Sequence, residues 1–259
     1  MNNPLDIARS TILAPVGLAE SDLDRLLGKL VGPAIDAADV YFQASRLESW
    51  VLEDGILKEG SHNIERGAGI RVVSGEKTGF AYSDEIQLPM LVEAAGTARA
   101  IVRSAQDGRV QIRGVPVERQ LYQPLDPVAS LEDREKVDLL RQVDAEARRQ
   151  DPRVQQVIVS LVAAHDVVLI AANDGTLSGD VRPLVRMSVS VIAEQGGRRE
   201  QGSSGGGARE SLHYFRAGER ALGYAREAAR QAPGTVESVD APAAPMHVKL
   251  GPAWPGVLL

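Results

Sequence analysis

The 259-residue sequence has no cysteine, and only 4% of its residues are aromatic. Without cysteine, the chain cannot form a disulfide scaffold, a thiolate metal site or a catalytic thiol. No apolar run approaches the roughly 18 residues that a membrane-spanning helix needs. The first residues, Asn2-Asn3-Pro4, do not begin a secretory signal. We therefore expect a soluble cytoplasmic protein that has no membrane partner.

Basic residues are also too few for a nucleic-acid-binding surface. The chain carries 29 Lys and Arg residues against 35 Asp and Glu residues, which gives a formal net charge of −6. Binding to phosphates requires a concentrated basic face, so we expect no nucleic-acid partner. The hydrophobic content of 44% is typical of a globular protein and excludes a disordered chain.

The order of periodic segments predicts an α+β fold with an internal duplication. In each half, alternating apolar residues indicate strands around an Asp-Gly turn, a glycine turn follows, and a helical segment ends the unit. The matching turns are Asp54-Gly55 with Asp174-Gly175, and Gly75 with Gly196. Since strands come in runs before each helix, we expect mostly antiparallel strands with covering helices, arranged as two similar sheet-plus-helix halves.

These patterns divide the chain into four parts. Residues 1–115 form an N-terminal subdomain, residues 116–129 a crossing segment, and residues 130–239 a second β-rich subdomain with flanking helices. Residues 240–259 read as a linker followed by the truncated start of a missing domain. The final Val257-Leu258-Leu259 motivates that last assignment, because an exposed apolar end stabilises nothing.

The four histidines do not have the spacing of a metal site. None has a second histidine within three to five residues. His62 and His213 are expected in or near loops and helix starts, where a solvated role is favoured over that of a ligand or base. His165 precedes Asp166 between two apolar strand segments, which predicts a turn histidine bonded to its neighbour. For His247 the pattern predicts no role.

The segment Gly202-Ser-Ser-Gly-Gly-Gly207 has the most unusual composition in the chain. It lacks the Lys-Ser/Thr pair of a phosphate-binding loop, and no Gly-x-Gly-x-x-Gly fingerprint follows a first strand. Two interpretations stay open. The segment is either a loop whose backbone closely approaches a ligand or another backbone, or a flexible hairpin loop. No residue pattern in the chain indicates a catalytic site.

Several longer stretches together resemble the TldD/PmbA family of zinc metallopeptidases. The resemblance runs from about residue 20 to the end, and the stretches that carry it are Ser49–Asp54, Ser74–Tyr82, Asp174–Thr176, Asp180–Val191, Gly205–Gly207 and Trp254–Leu259. It implies a subunit that pairs with a PmbA/TldE-type subunit or forms a homo-oligomer. It also implies zinc in the full-length protein and unfolded peptides as substrates, with roles in peptide maturation, antitoxin degradation and DNA gyrase modulation.

The resemblance also implies that this chain lacks the catalytic motif. In the family, the stretch matching Trp254–Leu259 leads into His-Glu-x-x-x-His, which supplies two zinc ligands and the general base. No residue of this sequence matches that motif, so we expect no catalytic residue, no metal ligand and no bound cofactor in this chain. The residues that we place near the substrate path are Arg186, Ser203, Ser204, Gly205, Gly206 and Gly207.

Two functional hypotheses follow. In the first, the chain is the N-terminal half of a TldD-type peptidase, inactive alone, which shapes the substrate cavity and contacts the partner subunit. In the second, it is a stand-alone, non-enzymatic module that binds a peptide or a protein. Direct gyrase binding is disfavoured by the acidic charge.

Overall fold

The fold is described from a computed structural model of the chain. The structure describes residues 3–102, 110–115 and 121–236, together with residues 245 and 247. The predicted linker and truncated domain start, residues 240–259, lie outside the described residues except for those two positions. The crossing segment 116–129 is described only from residue 121 onward. Within these ranges, no helix is long and apolar enough to cross a membrane.

Apart from several shorter elements, both halves of the chain contain the same succession: a long helix, three strands that follow one another in the sheet, and a second long helix. The first half comprises α1 (Pro4–Ala8), a π-helical turn (Arg9–Leu13), a 3-10 turn (Ala14–Val16), α2 (Glu20–Leu30), β1 (Ala37–Glu53), β2 (Ile56–Ser74), β3 (Lys77–Ser83) and α3 (Leu88–Val102). The second comprises β4 (Arg113–Gly114), a 3-10 turn (Val128–Ser130), α4 (Asp133–Gln150), β5 (Val154–Ala172), β6 (Thr176–Gln195), β7 (Arg198–Ala208), α5 (His213–Arg216), a 3-10 turn (Ala217–Glu219) and α6 (Arg220–Val236). The predicted α+β class is confirmed.

One sheet contains all seven described strands, and the two halves meet at its centre. The strand order is β3-β2-β1-β5-β6, with β7 and the short β4 both pairing with β6. Only the β4–β6 pairing is parallel among these strands. The central strands β1 and β5 are antiparallel, and Arg46 lies opposite His165 near the middle of both. The halves are therefore related by an approximate two-fold axis near that pair.

The first long hairpin turns at the Asp-Gly pair that the sequence indicates. Asp54 and Gly55 both have positive φ, 51° and 73°. Tight hairpins favour that conformation, because its twist matches that of the flanking strands. The Asp54 carboxylate also accepts a hydrogen bond from the Val157 N–H at 3.0 Å, which ties the hairpin tip to β5. The turn thus fixes the position of the β1–β2 hairpin on the second half.

The described helices cover one face of the sheet in two groups. Helices α1, α2 and α3 pack on one apolar cluster, and helices α4 and α6 pack on the other. Strand β5 contributes to both clusters through alternate residues, namely Val157, Val159, Leu161, Ala163, Val167, Leu169 and Ala171. Alternate residues of a strand point to the same face, so both clusters lie on one side of the sheet. The proposed subdomain boundaries remain predictions, since the two halves share this sheet.

The predicted turn at His165 is wrong. Strand β5 continues without interruption from Val154 to Ala172, and His165 lies in its interior. Its side chain is 8% exposed and faces the helices, between the two apolar clusters. The Nδ1 atom of His165 lies 3.1 Å from Nη2 of Arg46 on the neighbouring strand. The polar residue is therefore accommodated by a partner across the sheet, which periodicity along one strand does not reveal.

Candidate functional site

The second face of the sheet, which we call the open face, carries four of the six predicted substrate-path residues: Arg186, Ser203, Gly205 and Gly207. Both clusters of buried apolar side chains lie on the helix face, whereas alternate residues that point the other way are mostly half-buried or exposed. Near the sheet centre, Leu47 and Leu184 are 39% and 45% exposed on the open face. An extended surface with exposed apolar side chains is typical of an interaction site.

Arg186 lies on this open face beside the glycine-rich strand. It is opposite Gly207 in the β6–β7 ladder, and Ser188 lies opposite Gly205. The Arg186 side chain is exposed, and it has no ion pair among the residues that the structure describes. The guanidinium is thus available to a carbonyl or carboxylate group of a ligand.

The Gly202–Gly207 segment is not a loop, which corrects both interpretations of its conformation. It forms most of β7, a strand at the edge of the sheet. Positions 203, 205 and 207 lie on the open face, and positions 202, 204 and 206 lie on the helix face. The expected close approach of one backbone to another does occur.

The glycines of β7 allow helix α6 to pack closely on this strand. A Cβ atom at Gly202 would lie 2.3 Å from the Ala228 carbonyl oxygen. A Cβ atom at Gly206 would lie 2.5 Å from the Tyr224 hydroxyl oxygen. The backbone contact at Gly202 leaves no room for a side chain, so helix packing accounts for that glycine. At Gly206 the close atom is the end of the Tyr224 side chain, so a Cβ atom there would have to displace the tyrosine ring. Gly206 and Ser204, like Gly202, therefore lie away from the open face.

The backbone of Gly205 and Gly207 points outward from the sheet edge. The N–H of Ser203 donates to Oε1 of Gln231 at 3.3 Å, so the polar backbone groups of residue 203 face away from β6. Backbone groups alternate in direction along an antiparallel strand, so those of Gly205 and Gly207 also point outward. No partner for them occurs among the described residues. This edge can pair with an additional extended chain.

The four histidines do not come together. His62 lies within β2, not in a loop; His213 is the first residue of α5; His165 is in β5; and His247 is exposed. Over the described ranges, no three His, Cys, Asp or Glu residues are close enough to hold a metal ion.

A polar cluster that the sequence did not indicate lies near the approximate two-fold axis. Arg46 forms an ion pair with Asp126 and contacts His165. Burial lowers the pKa of His165; the Asp126 carboxylate opposes this shift, and the Arg46 charge adds to it. Burial at this position therefore favours the neutral form of the imidazole. Its strand position between two apolar runs was visible in the sequence, but its partners come from distant segments.

A second buried polar cluster joins β1 to α4. The Lys136 Nζ atom lies 2.6 Å from Oε1 of Glu48, and the Trp50 indole N–H donates to the same oxygen at 2.5 Å. Lys136 and Glu48 are 2% and 7% exposed. A charged residue at a core-facing position was the sequence signal that could have indicated this buried pair, because Glu48 lies in the same alternation as the buried Phe42 and Leu52.

Two protein-family models match the chain. The model described as PmbA/TldA metallopeptidase domain 1 matches residues 38–105. The model described as PmbA/TldA metallopeptidase central domain matches residues 126–233. Together these ranges include more than half of the sequence.

A curated relative and two solved structures extend the match. The chain is 45% identical over 261 residues to a protein of Haemophilus influenzae named metalloprotease TldD homolog, covering 98% of this chain and 54% of that relative. It therefore spans about half the length of the curated relatives it matches. A Thermotoga maritima protein, described as a candidate modulator of a DNA gyrase, has a TM-score of 0.69 at 19% identity and is matched over 86% of this chain and 50% of its own. TldE from Thermococcus kodakarensis has a TM-score of 0.58 at 16% sequence identity, and the match covers 83% of this chain and 47% of the TldE chain. These two structural matches concern the fold alone.

Proposed function

The chain belongs to the PmbA/TldD metallopeptidase family, and from this membership we propose that it provides the peptide-binding surface of a TldD-type peptidase subunit. In this proposal, unfolded peptides lie on the open face and along the β7 edge. Peptide maturation and antitoxin degradation are the processes that such a subunit would serve.

The free backbone groups of Gly205 and Gly207 carry the proposal. An extended peptide that adds to this edge forms main-chain hydrogen bonds, which do not depend on its side chains. That property suits an enzyme whose substrates are unfolded chains of varied sequence. Arg186, opposite Gly207, would bind a carbonyl or carboxylate group of the same peptide.

The described residues do not fit the metal ion that the family name implies. They contain no cluster of three potential ligands, and the whole sequence has no cysteine. We therefore derive no catalytic step through a metal from this chain. We propose that zinc and hydrolysis require the part of the family's polypeptide that this chain does not match, and that the chain alone is inactive. A PmbA/TldE-type subunit or a second copy of the chain would complete the peptide cavity.

Hydrogen exchange with and without an unfolded peptide tests the edge. A dye-labelled, amidated Ser/Gly peptide should slow exchange at the Gly205 and Gly207 amides and leave the turn at Gly75 unaffected. We expect Arg186→Gln to weaken binding about tenfold, because a hydrogen bond to a charged group is lost. The matched control is Arg134→Gln, since Arg134 is an exposed arginine on α4. Unchanged exchange along β7 in the presence of bound peptide would refute edge pairing.

A cleavage assay tests the enzymatic part of the proposal. The chain alone, with added zinc, should not hydrolyse an unfolded peptide, whereas addition of the remaining part of a TldD-type chain should confer cleavage. Hydrolysis by the isolated chain would contradict the proposed inactivity. Peptide binding that never leads to cleavage with the complementing part would favour the stand-alone binding module.

A further inference from the structure

A groove of about 440 Å³ lies on the open face at the end of the sheet farthest from β7. We call it the aromatic groove. Strands β1, β2 and β3 form it, and its defining side chains are Tyr41, Gln43, Glu65, Phe80, Tyr82 and Asp84. It shares no residue with the Arg186 and β7 region.

Two glycines of β2 create the floor of the aromatic groove. Gly69 lies between Tyr41 of β1 and Tyr82 of β3 in one cross-strand row, and Gly67 lies opposite Gln43. Because neither glycine has a side chain, neighbouring groups approach the β2 backbone closely here, and a Cβ atom at Gly67 would lie 2.9 Å from the Ser83 carbonyl oxygen. A Cβ atom at Gly69 would lie 3.2 Å from the Phe80 ring, so that ring leans over the glycine backbone.

Exposed aromatic rings form the walls. Phe80 is 57% exposed and Tyr82 is 76% exposed, although the chain contains only 4% aromatic residues. Tyr41 is half-buried, and its hydroxyl donates to Oε1 of Gln43 at 3.1 Å. Rings exposed at a concave surface favour apolar chains and cations, which are attracted to the faces of the rings.

The charges at the groove select between these ligands. Glu65 and Asp84 are exposed there, and neither has an ion pair within the described part of the chain. The nearby Arg71 is already paired with Asp39, at 2.6 Å from Nη2 to Oδ2. Arg66 also lines the groove, but it follows Glu65 in an extended strand, so its side chain leaves from the opposite face.

We propose that the aromatic groove binds a lysine or arginine side chain of the peptide. The aliphatic stem would lie along the Phe80 and Tyr82 rings, and the cationic end would reach Glu65 and Asp84. The inference rests on the proposed peptide-binding function and adds a side-chain preference to it.

Three peptides that differ at one position test the preference. Each is a dye-labelled, amidated Ser/Gly heptapeptide with lysine, norleucine or glutamate at its centre, and its binding to the 259-residue chain is measured by fluorescence anisotropy. We expect the lysine peptide to bind about fivefold more tightly than the norleucine peptide, and the glutamate peptide to bind most weakly. The double variant Glu65→Gln/Asp84→Asn should remove most of the difference and leave the part due to the rings, whereas Glu59→Gln, an exposed change on the same strand and face, should preserve it in full.

The outcomes separate this inference from the proposed function. Equal binding of the lysine and norleucine peptides would overturn the cationic preference while leaving peptide binding intact. Failure of all three peptides to bind would overturn both. Arg186→Gln should weaken all three equally, because it acts at the other end of the sheet. Tyr82→Ala, at an exposed position where we expect little change in folding stability, should reduce the lysine preference independently of the carboxylates.

Discussion

The buried pair of Glu48 and Lys136 allows a quantitative test of how the two halves are held together. Glu48 belongs to β1 of the first half, and Lys136 belongs to α4 of the second. Their charged atoms are 2.6 Å apart, and the only other close carboxylate described near Lys136 is that of Asp133, at 3.2 Å. Replacing Lys136 with methionine keeps the length of the side chain but removes the close counter-charge of the buried Glu48 carboxylate. The partners that remain are the Trp50 indole N–H and the exposed His62 ring, whose Nδ1 atom lies 3.8 Å from Oε2 of Glu48.

The expected loss is large because Glu48 is desolvated. Removal of one partner from a buried ion pair costs about 3–5 kcal/mol of unfolding free energy, since the remaining charge has lost its hydration and its close counter-charge. The double variant Glu48→Gln/Lys136→Met removes both charges and retains an acceptor for the Trp50 indole. It should be within about 1–2 kcal/mol of the parent, because replacing both members of a buried pair is often close to neutral.

Urea unfolding followed by circular dichroism measures these differences. The matched control is Lys29→Met on α2, an exposed position where we expect a change of about 0.5 kcal/mol or less. A loss below about 1 kcal/mol for Lys136→Met would refute the reasoning, because it would mean that water reaches Glu48. A double variant as unstable as the single one would also refute it.

Two further predictions concern packing and pH. Gly202→Ala should cost about 1–3 kcal/mol of unfolding free energy, because the new Cβ atom would lie 2.3 Å from the Ala228 carbonyl oxygen. In the same urea assay, Gly223→Ala in α6 should stabilise the protein by about 0.5–1 kcal/mol, because its Cβ atom would meet no atom within 4 Å. Because the pKa of His165 is lowered in the folded protein, this histidine binds a proton more readily in the unfolded chain than in the folded one. The unfolding free energy should therefore fall as pH drops below about 6.5. His165→Gln should remove that part of the slope in urea titrations at pH 5 and 7.5, and an unchanged slope would contradict the assignment.

The fold class could be predicted because its signals are local. The Asp54-Gly55 pair forms a hairpin turn, and apolar residues alternate with polar ones along each strand. The strands and the repeated order of elements could therefore be predicted from the sequence. The turn assigned to His165 was wrong for a related reason. A polar residue breaks an apolar run in the sequence, but its partner Arg46 is 119 residues away along the chain. Register across a sheet depends on long-range pairing, which local patterns do not encode.

The candidate site was only partly predictable for the same reason. Glycines in a row suggested a loop, since glycine is unfavourable in strands. The structure shows two constraints on these glycines that come from outside the segment. Helix α6 packs against Gly202 and Gly206. Carbonyl oxygens of β6 lie close to Gly205 and Gly207, where a Cβ atom would be 2.4 and 2.2 Å from them. Neither neighbour is visible from residues 202–207 alone.

The two ends of the open face occupy equivalent places in the two halves, but their residues favour different kinds of contact. Strands β3 and β7 are each the last strand of a half, and each pairs with the outer side of the preceding strand. At β3, exposed rings of Phe80 and Tyr82 surround a glycine floor, which suits a side chain. At β7, Gly205 and Gly207 present backbone groups instead. A peptide that crosses the face would therefore be held at one end without regard to sequence, and any selectivity would arise at the other.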